Sequence, residues 1–288
     1  MRKCAALVLI LLLCLGSALA ECPRFSVEEY PVPDGSTATL PLSYLLFERS
    51  TGVDAQTAES SISHSKTTAS FTALVDGSAD ILLVYEPAQE AWEYAEEQGV
   101  ALESKAIGLD APVFLVNEGN PLDSLTQDQV VDIYTGKITN WKDLGGADLP
   151  IVAYQRNETS GSQVMVEALV MKGVEMMEVP QRLAPGLMGG LVDDIASYSN
   201  TANAIGYSVY YYVDNMYLQQ GIKLLAIDGV APTNETIADG SYPWRQPFYA
   251  VIRADEAADS PARQLYDWLT TEEGLALIEE AGYVAARG

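Results

Sequence analysis

Six short, almost unbroken apolar runs constrain this 288-residue chain more than any other feature: ADILLVY (79–85), APVFLVN (111–117), LPIVAY (149–154), AIGYSVYYY (204–212), IKLLAI (222–227) and PFYAVIR (247–253). Runs this short, rich in β-branched and aromatic residues, read as strands. Helical patterns lie between them. One spans Pro87 through Glu97, a second 125–136 with Val130, Ile133 and Tyr134 on one side, and the last runs from about Ser260 to Glu280. Alternating strands and helices predict α/β layers with largely parallel sheets.

Residues 1–20 stand apart. A basic MRK start, an apolar AALVLILLLCL run and Ala18-Leu19-Ala20 at the end match a secretory signal, with the apolar stretch too short to span a bilayer. Its removal would leave about 268 residues, enough for one large or two medium domains. It would also take the formal charge from −24 to −26. So acidic a surface repels nucleic acid and anionic membrane. Cys4 and Cys14 leave with the signal, so no intramolecular disulfide is expected. Cys22 falls in an N-terminal segment read as unstructured, and it could carry a lipid, although Glu21 fits lipoprotein processing poorly.

The stretch YQRNETSGSQVMVEALVM (154–171) runs against that acidity. Its strand ends near Tyr154, and Val164, Met165, Ala168, Leu169 and Met171 form an apolar helical face. Ser160 and Gln163 have capping-box spacing, which predicts a helix start at Ser160. First-turn amides at Gly161, Ser162 and Gln163 would then lack carbonyl partners and favour an anion. Gly161 permits close approach, Ser162 adds a hydroxyl, and Arg156 could grip an oxyanion with two parallel hydrogen bonds. An ordinary capped helix beside a surface arginine would use the same residues.

Three further junctions share the pattern. DGSTATLPL places Pro41 at a helix start, offering the Thr39 hydroxyl and the Leu40 amide. HSKTTAS opens a helix with Thr67 and Thr68. VYEPAQE ends a strand at Glu86, with Pro87 beginning the next helix. In open α/β sheets, ligands sit outside the carboxyl ends of strands. Glu86 would repel a bare anion, but it can accept a hydrogen bond from one that carries a proton. Phosphate does so near neutral pH and sulfate does not, which would make Glu86 a discriminator.

The pieces DGSTATLPL, LVNEGNPLDSLTQDQVVDIYTGKITNWKDLGG, YQRNETSGSQ, AIGYSVYYY, DGVAPTNETIADGSYPW and WLTTEEGLALIEEAGYV resemble the phosphate-binding proteins of ABC phosphate importers, in the type II periplasmic-binding-protein superfamily. The resemblance implies a two-domain α/β fold with two hinge strands and an interdomain ligand cleft. Domain 1 would comprise 21–113 plus 244–288, and domain 2 would be 114–243. It also implies ligand contacts from Thr39, Leu40, Thr68, Glu86, Arg156, Ser160, Gly161 and Ser162, with Glu158 pairing with and positioning Arg156. Two departures stand out. Glu86 replaces the family's aspartate, and SKTTAS replaces a Gly-rich loop, leaving Lys66, Thr67 or Thr68 as the donor there.

The expectation is therefore a secreted, monomeric binding protein that captures inorganic phosphate for an ABC permease, with no cofactor, metal or catalytic residue. Other readings are a binder of sulfate, molybdate or tungstate, or a secreted phosphate sensor or scavenger. A phosphatase is disfavoured because His64 is the sole histidine and no Asp cluster stands out. His64 itself is read as a loop residue without a ligand role. The tyrosines of GYSVYYYVDNMY are read as hinge strand and core. An acidic surface need not defeat anion binding: charges beyond a Debye length of about 8 Å are largely screened. Charge-assisted hydrogen bonds in a closed cleft contribute about 1.5–3 kcal/mol each.

Overall fold

The computed structural model describes residues 21–196, 202–217 and 221–287; the expected signal segment lies outside them. The strands are β1 (Pro33–Gly35), β2 (Ile81–Val84), β3 (Leu102–Asp110), β4 (Pro112–Asn117), β5 (Ser124–Leu125), β6 (Val152–Ala153), β7 (Ala204–Val209), β8 (Ile222–Leu224), β9 (Ala226–Ile227), β10 (Gln246–Arg253) and β11 (Val284–Ala285). They form a five-stranded sheet in the order β1-β2-β10-β3-β11, a four-stranded sheet in the order β6-β7-β4-β8, and a β5-β9 pair. Helices cover both larger sheets, giving two α/β lobes. Leu42, Leu83, Phe248 and Ile278 belong to the core of the first. Phe114, Val130, Ile133, Tyr134 and Tyr207 belong to that of the second.

The layers agree with the apolar runs, but the strand directions do not. Only β1-β2, β5-β9 and β6-β7 pair in parallel among the described strands. Strand β10 runs antiparallel to both β2 and β3, and β4 antiparallel to both β7 and β8. Apolar content reports burial, and burial is the same whichever way a neighbour runs.

Several boundaries move as well. The strand through GYSVYYY stops at Val209, and Tyr212–Met216 winds as a π-helix. The C-terminal helix is two, Pro261–Trp268 and Glu272–Glu280, because the Thr271 side chain caps a fresh start at Gly274 N. The N-terminal segment is packed rather than unstructured. The Phe25 N–H donates to Ser50 O at 3.0 Å, and Tyr30 meets Phe47 edge-on with ring centroids 4.8 Å apart. Cys22 Sγ lies 3.4 Å from Ser50 Oγ.

The chain passes between the lobes beside one buried carboxylate. Asp110 ends β3, Pro112 begins β4, and Gln246 on the returning strand pairs with Asp110. Asp110 accepts from the Tyr85 hydroxyl at 2.6 Å, from Ala111 N at 2.7 Å and from Tyr211 N at 3.2 Å. Burial outweighs these bonds and pushes its carboxyl up to about 6. Between the ordinary carboxylate range and pH 6 the folded chain holds a proton that the unfolded chain releases. Stability from this group is therefore full at low pH and lost as pH rises through about 6. Relative to Asp110→Asn, the parent protein should gain about 2–3 kcal/mol in urea melts between pH 7 and pH 4. Parallel pH profiles for the two proteins would refute the assignment.

Candidate functional site

All four strand-to-helix junctions open onto one cavity of about 430 Å³ between the lobes. The first lobe contributes Ser36, Thr37 and Ala38, then Lys66 and Thr67, then Tyr85; the second contributes Arg156, Ser160, Gly161 and Ser162. Short polar side chains cluster there because each junction ends an apolar strand and begins a helix. The Ser36 hydroxyl ties three junctions together, lying 2.8 Å from Thr67 Oγ1 and accepting from Tyr85 N at 3.1 Å.

Arg156 dominates the electrostatics. It is only 7% exposed, and its Nη1 is buried with no hydrogen-bond partner. Its Nε donates to Ser160 Oγ at 3.4 Å, and Ser160 Oγ lies 3.0 Å from Ser162 Oγ. The backbone is held from behind: Arg156 N donates to Gln163 Oε1 at 3.1 Å and to Tyr207 Oη at 3.0 Å. Burial lowers the guanidinium's affinity for its proton, while Tyr207 and Tyr212 partly restore it. A nearly buried cation that lines a cavity and keeps a donor without a partner is what an anion seat requires.

Of the residues expected at the site, Thr67, Arg156, Ser160, Gly161 and Ser162 line the cavity, as does Lys66. The helix does begin after Ser160, but the capping box does not form. Gln163 is captured by Tyr207 and by the Arg156 backbone instead. A π-turn at Glu167–Met171 then rotates the buried face, so Val166 and Val170 are buried and Ala168 is exposed.

Five expected residues sit elsewhere. Thr39 is fully buried and its hydroxyl donates back to Ser36 O at 2.8 Å, while the Leu40 N–H bonds Thr37 O. A 3₁₀ turn at Thr37–Thr39 precedes the α-helix, and the residues of this junction that line the cavity lie upstream, at Ser36, Thr37 and Ala38. Thr68 Oγ1 spans the cleft mouth, donating to Thr159 O at 3.0 Å and accepting from Ala88 N at 3.3 Å. Glu86 accepts from the Trp92 indole at 3.0 Å, and the helix after it starts at Gln89 rather than Pro87. Glu158 is exposed and borders an open acidic groove on the far side of the Arg156 loop.

His64 has more to do than the sequence indicated. Its Nδ1 donates to Ser36 O at 2.8 Å and its Nε2 lies 3.0 Å from Ser43 Oγ, pinning the first junction. Burial disfavours its protonated form. The far wall of the cavity, around Gly186–Gly190 with Asp193, Tyr212 and Tyr217, was also missed. The clustered glycines of PGLMGG were its only sequence signal. Among the described residues no group of three or more His, Cys, Asp or Glu side chains is placed to hold a metal ion.

The PBP superfamily domain matches residues 34–273. The chain belongs to the PBP superfamily. Within it, the chain is similar to the phosphate-binding protein PstS of Borreliella burgdorferi, 26% identical over 195 residues that cover 66% of this chain and 68% of that one. It is similarly related to PstS of Staphylococcus aureus, 26% identical over 260 residues covering 88% and 77%. A phosphate ABC transporter substrate-binding protein of Clostridium perfringens, whose structure holds bound phosphate, aligns with a TM-score of 0.68 at 26% identity, covering 88% of this chain and 98% of that one. These relatives are named for binding and transport, not catalysis.

One residue at this PBP-superfamily cleft is held against its preference. Lys66 adopts φ 82°, ψ 166°, a region that side chains other than glycine's rarely enter. Such strain costs about 1–3 kcal/mol, and the added flexibility of glycine in the unfolded chain offsets about 0.5–1 kcal/mol of any relief. Lys66→Gly should therefore raise the melting temperature by about 2–4 °C in calorimetry. A lower value would show that the lysine side chain makes good the strain.

Proposed function

We propose that this protein captures inorganic phosphate between its lobes outside the cytoplasm and delivers it to an ABC importer. The observation that carries the reading is Arg156, nearly buried and with Nη1 unpartnered, lining the cavity where four helix-opening junctions converge. The contacting set is Thr37, Ala38, Thr67, Arg156, Ser160, Gly161 and Ser162. Thr39 and His64 hold the first junction in shape, and Thr68 clasps the lobes. The domains divide at 21–113 plus 244–288 and 114–243, with residues 1–20 removed on export. The described residues contain no helix long and apolar enough to cross a membrane.

Selectivity rests on different residues from those the sequence pointed to. With Glu86 on Trp92, Asp193 is the carboxylate lining the cavity among the described residues. A fully deprotonated oxyanion such as sulfate or molybdate is the rival ligand, and the Asp193 carboxylate in the same cavity would oppose it more than a phosphate that keeps a proton.

Calorimetry with phosphate, sulfate and molybdate at two pH values tests the reading. Phosphate should bind, with sulfate at least about a hundredfold weaker, a difference of about 2.7 kcal/mol. Arg156→Ala should lose binding by more than a hundredfold, and Glu86→Gln should leave the phosphate-to-sulfate ratio within about threefold of the parent. Sulfate binding on a par with phosphate would hand the site to the rival. A chromogenic phosphate ester should remain unhydrolysed; turnover above buffer would contradict a pure binding role.

A further inference from the structure

The cavity is larger than an inorganic anion needs, even though the lobes already touch. Thr68 Oγ1 reaches Thr159 O across the mouth, and a Cβ at Gly161 would fall 2.6 Å from Thr67 Oγ1. Little further closure is available at that edge, yet about 430 Å³ remains. A five-heavy-atom phosphate displaces about two or three waters, at roughly 30 Å³ each. Several times its volume is left over, and the total falls in the range of small organic ligands, about 300–1,000 Å³.

The surplus has a distinct chemistry. Beyond the hydroxyls and guanidinium, the wall turns apolar and aromatic through Leu187, Met188, Val209 and Tyr212. The Tyr212 and Tyr217 rings stack with centroids 5.4 Å apart and planes 13° from parallel. The Tyr217 hydroxyl donates to Asp193 Oδ2 at 3.3 Å. Gly189 lets the Tyr217 ring pack close against this wall, since a Cβ there would lie 2.7 Å from the Tyr217 hydroxyl. An oxyanion gains nothing from aromatic faces and a carboxylate. An ammonium gains from both, through the ring quadrupole and the opposite charge.

We propose that the cleft accepts small phosphate monoesters and phosphonates, with the oxyanion on Arg156 and a neutral or cationic substituent in the annex formed by Leu187, Met188, Val209, Tyr212, Tyr217 and Asp193. This rests on the phosphate reading, because the same seat holds the charged end. Asp193 sets the preference within the class by repelling anionic substituents.

Competition calorimetry on the mature chain separates the two ideas. The probes are inorganic phosphate, 2-aminoethylphosphonate and 3-phosphonopropionate. The expected result is that 2-aminoethylphosphonate displaces phosphate and binds at least tenfold more tightly than 3-phosphonopropionate. In Asp193→Asn that ratio should fall to within about threefold of unity. If phosphate binds and 2-aminoethylphosphonate fails to displace it at a hundredfold excess, the annex proposal is overturned and the phosphate reading stands. If neither binds, both are overturned. If only the phosphonate binds, the annex is supported and inorganic phosphate is not the ligand. An unchanged ratio in Asp193→Asn removes that residue from its assigned part.

Discussion

A guanidinium buried without an opposite charge is the constraint around which the cleft is organised. Removing an ion from water costs several kcal/mol unless partners replace the lost solvation. Tyr207 and Gln163 fix the Arg156 backbone, Ser160 takes one donor, and Nη1 is left without a partner. The free protein thus carries a destabilised cation, which the proposed oxyanion would relieve. Binding in the proposed seat would draw on that stored cost rather than on any attraction from the molecule as a whole.

The net charge makes the distinction clear. At −24 over the chain, the distant field opposes an anion. Screening shortens its reach, while a cavity wall of fixed donors acts at hydrogen-bond distance in a low-dielectric setting. Geometry at the seat therefore outweighs the sum of the surface charges.

What the sequence reveals follows from the range of the interactions involved. Apolar runs such as ILLV and PVFLVN are legible because burial on both faces leaves its mark residue by residue. The Arg156, Ser160, Gly161 and Ser162 grouping is legible because it lies within one local turn. Strand direction is not, since β10 reverses only when it meets β2 and β3 more than 130 residues upstream. Glu86 is drawn to Trp92, Gln163 to Tyr207, and the Ser36 carbonyl to His64. Each is a choice among partners that composition cannot rank. The tyrosines after Val209 suit strand or helix equally, and tertiary packing decides.

The meeting of Thr67 with Gly161 has a mechanical meaning of its own. With no room at that edge even for a Cβ on residue 161, closure there is limited by the protein's own atoms rather than by the bulk of its cargo. Any docking face that spans both lobes would then present one shape for small and larger ligands alike. Discrimination among them must take place inside the cleft, before that outer shape is displayed.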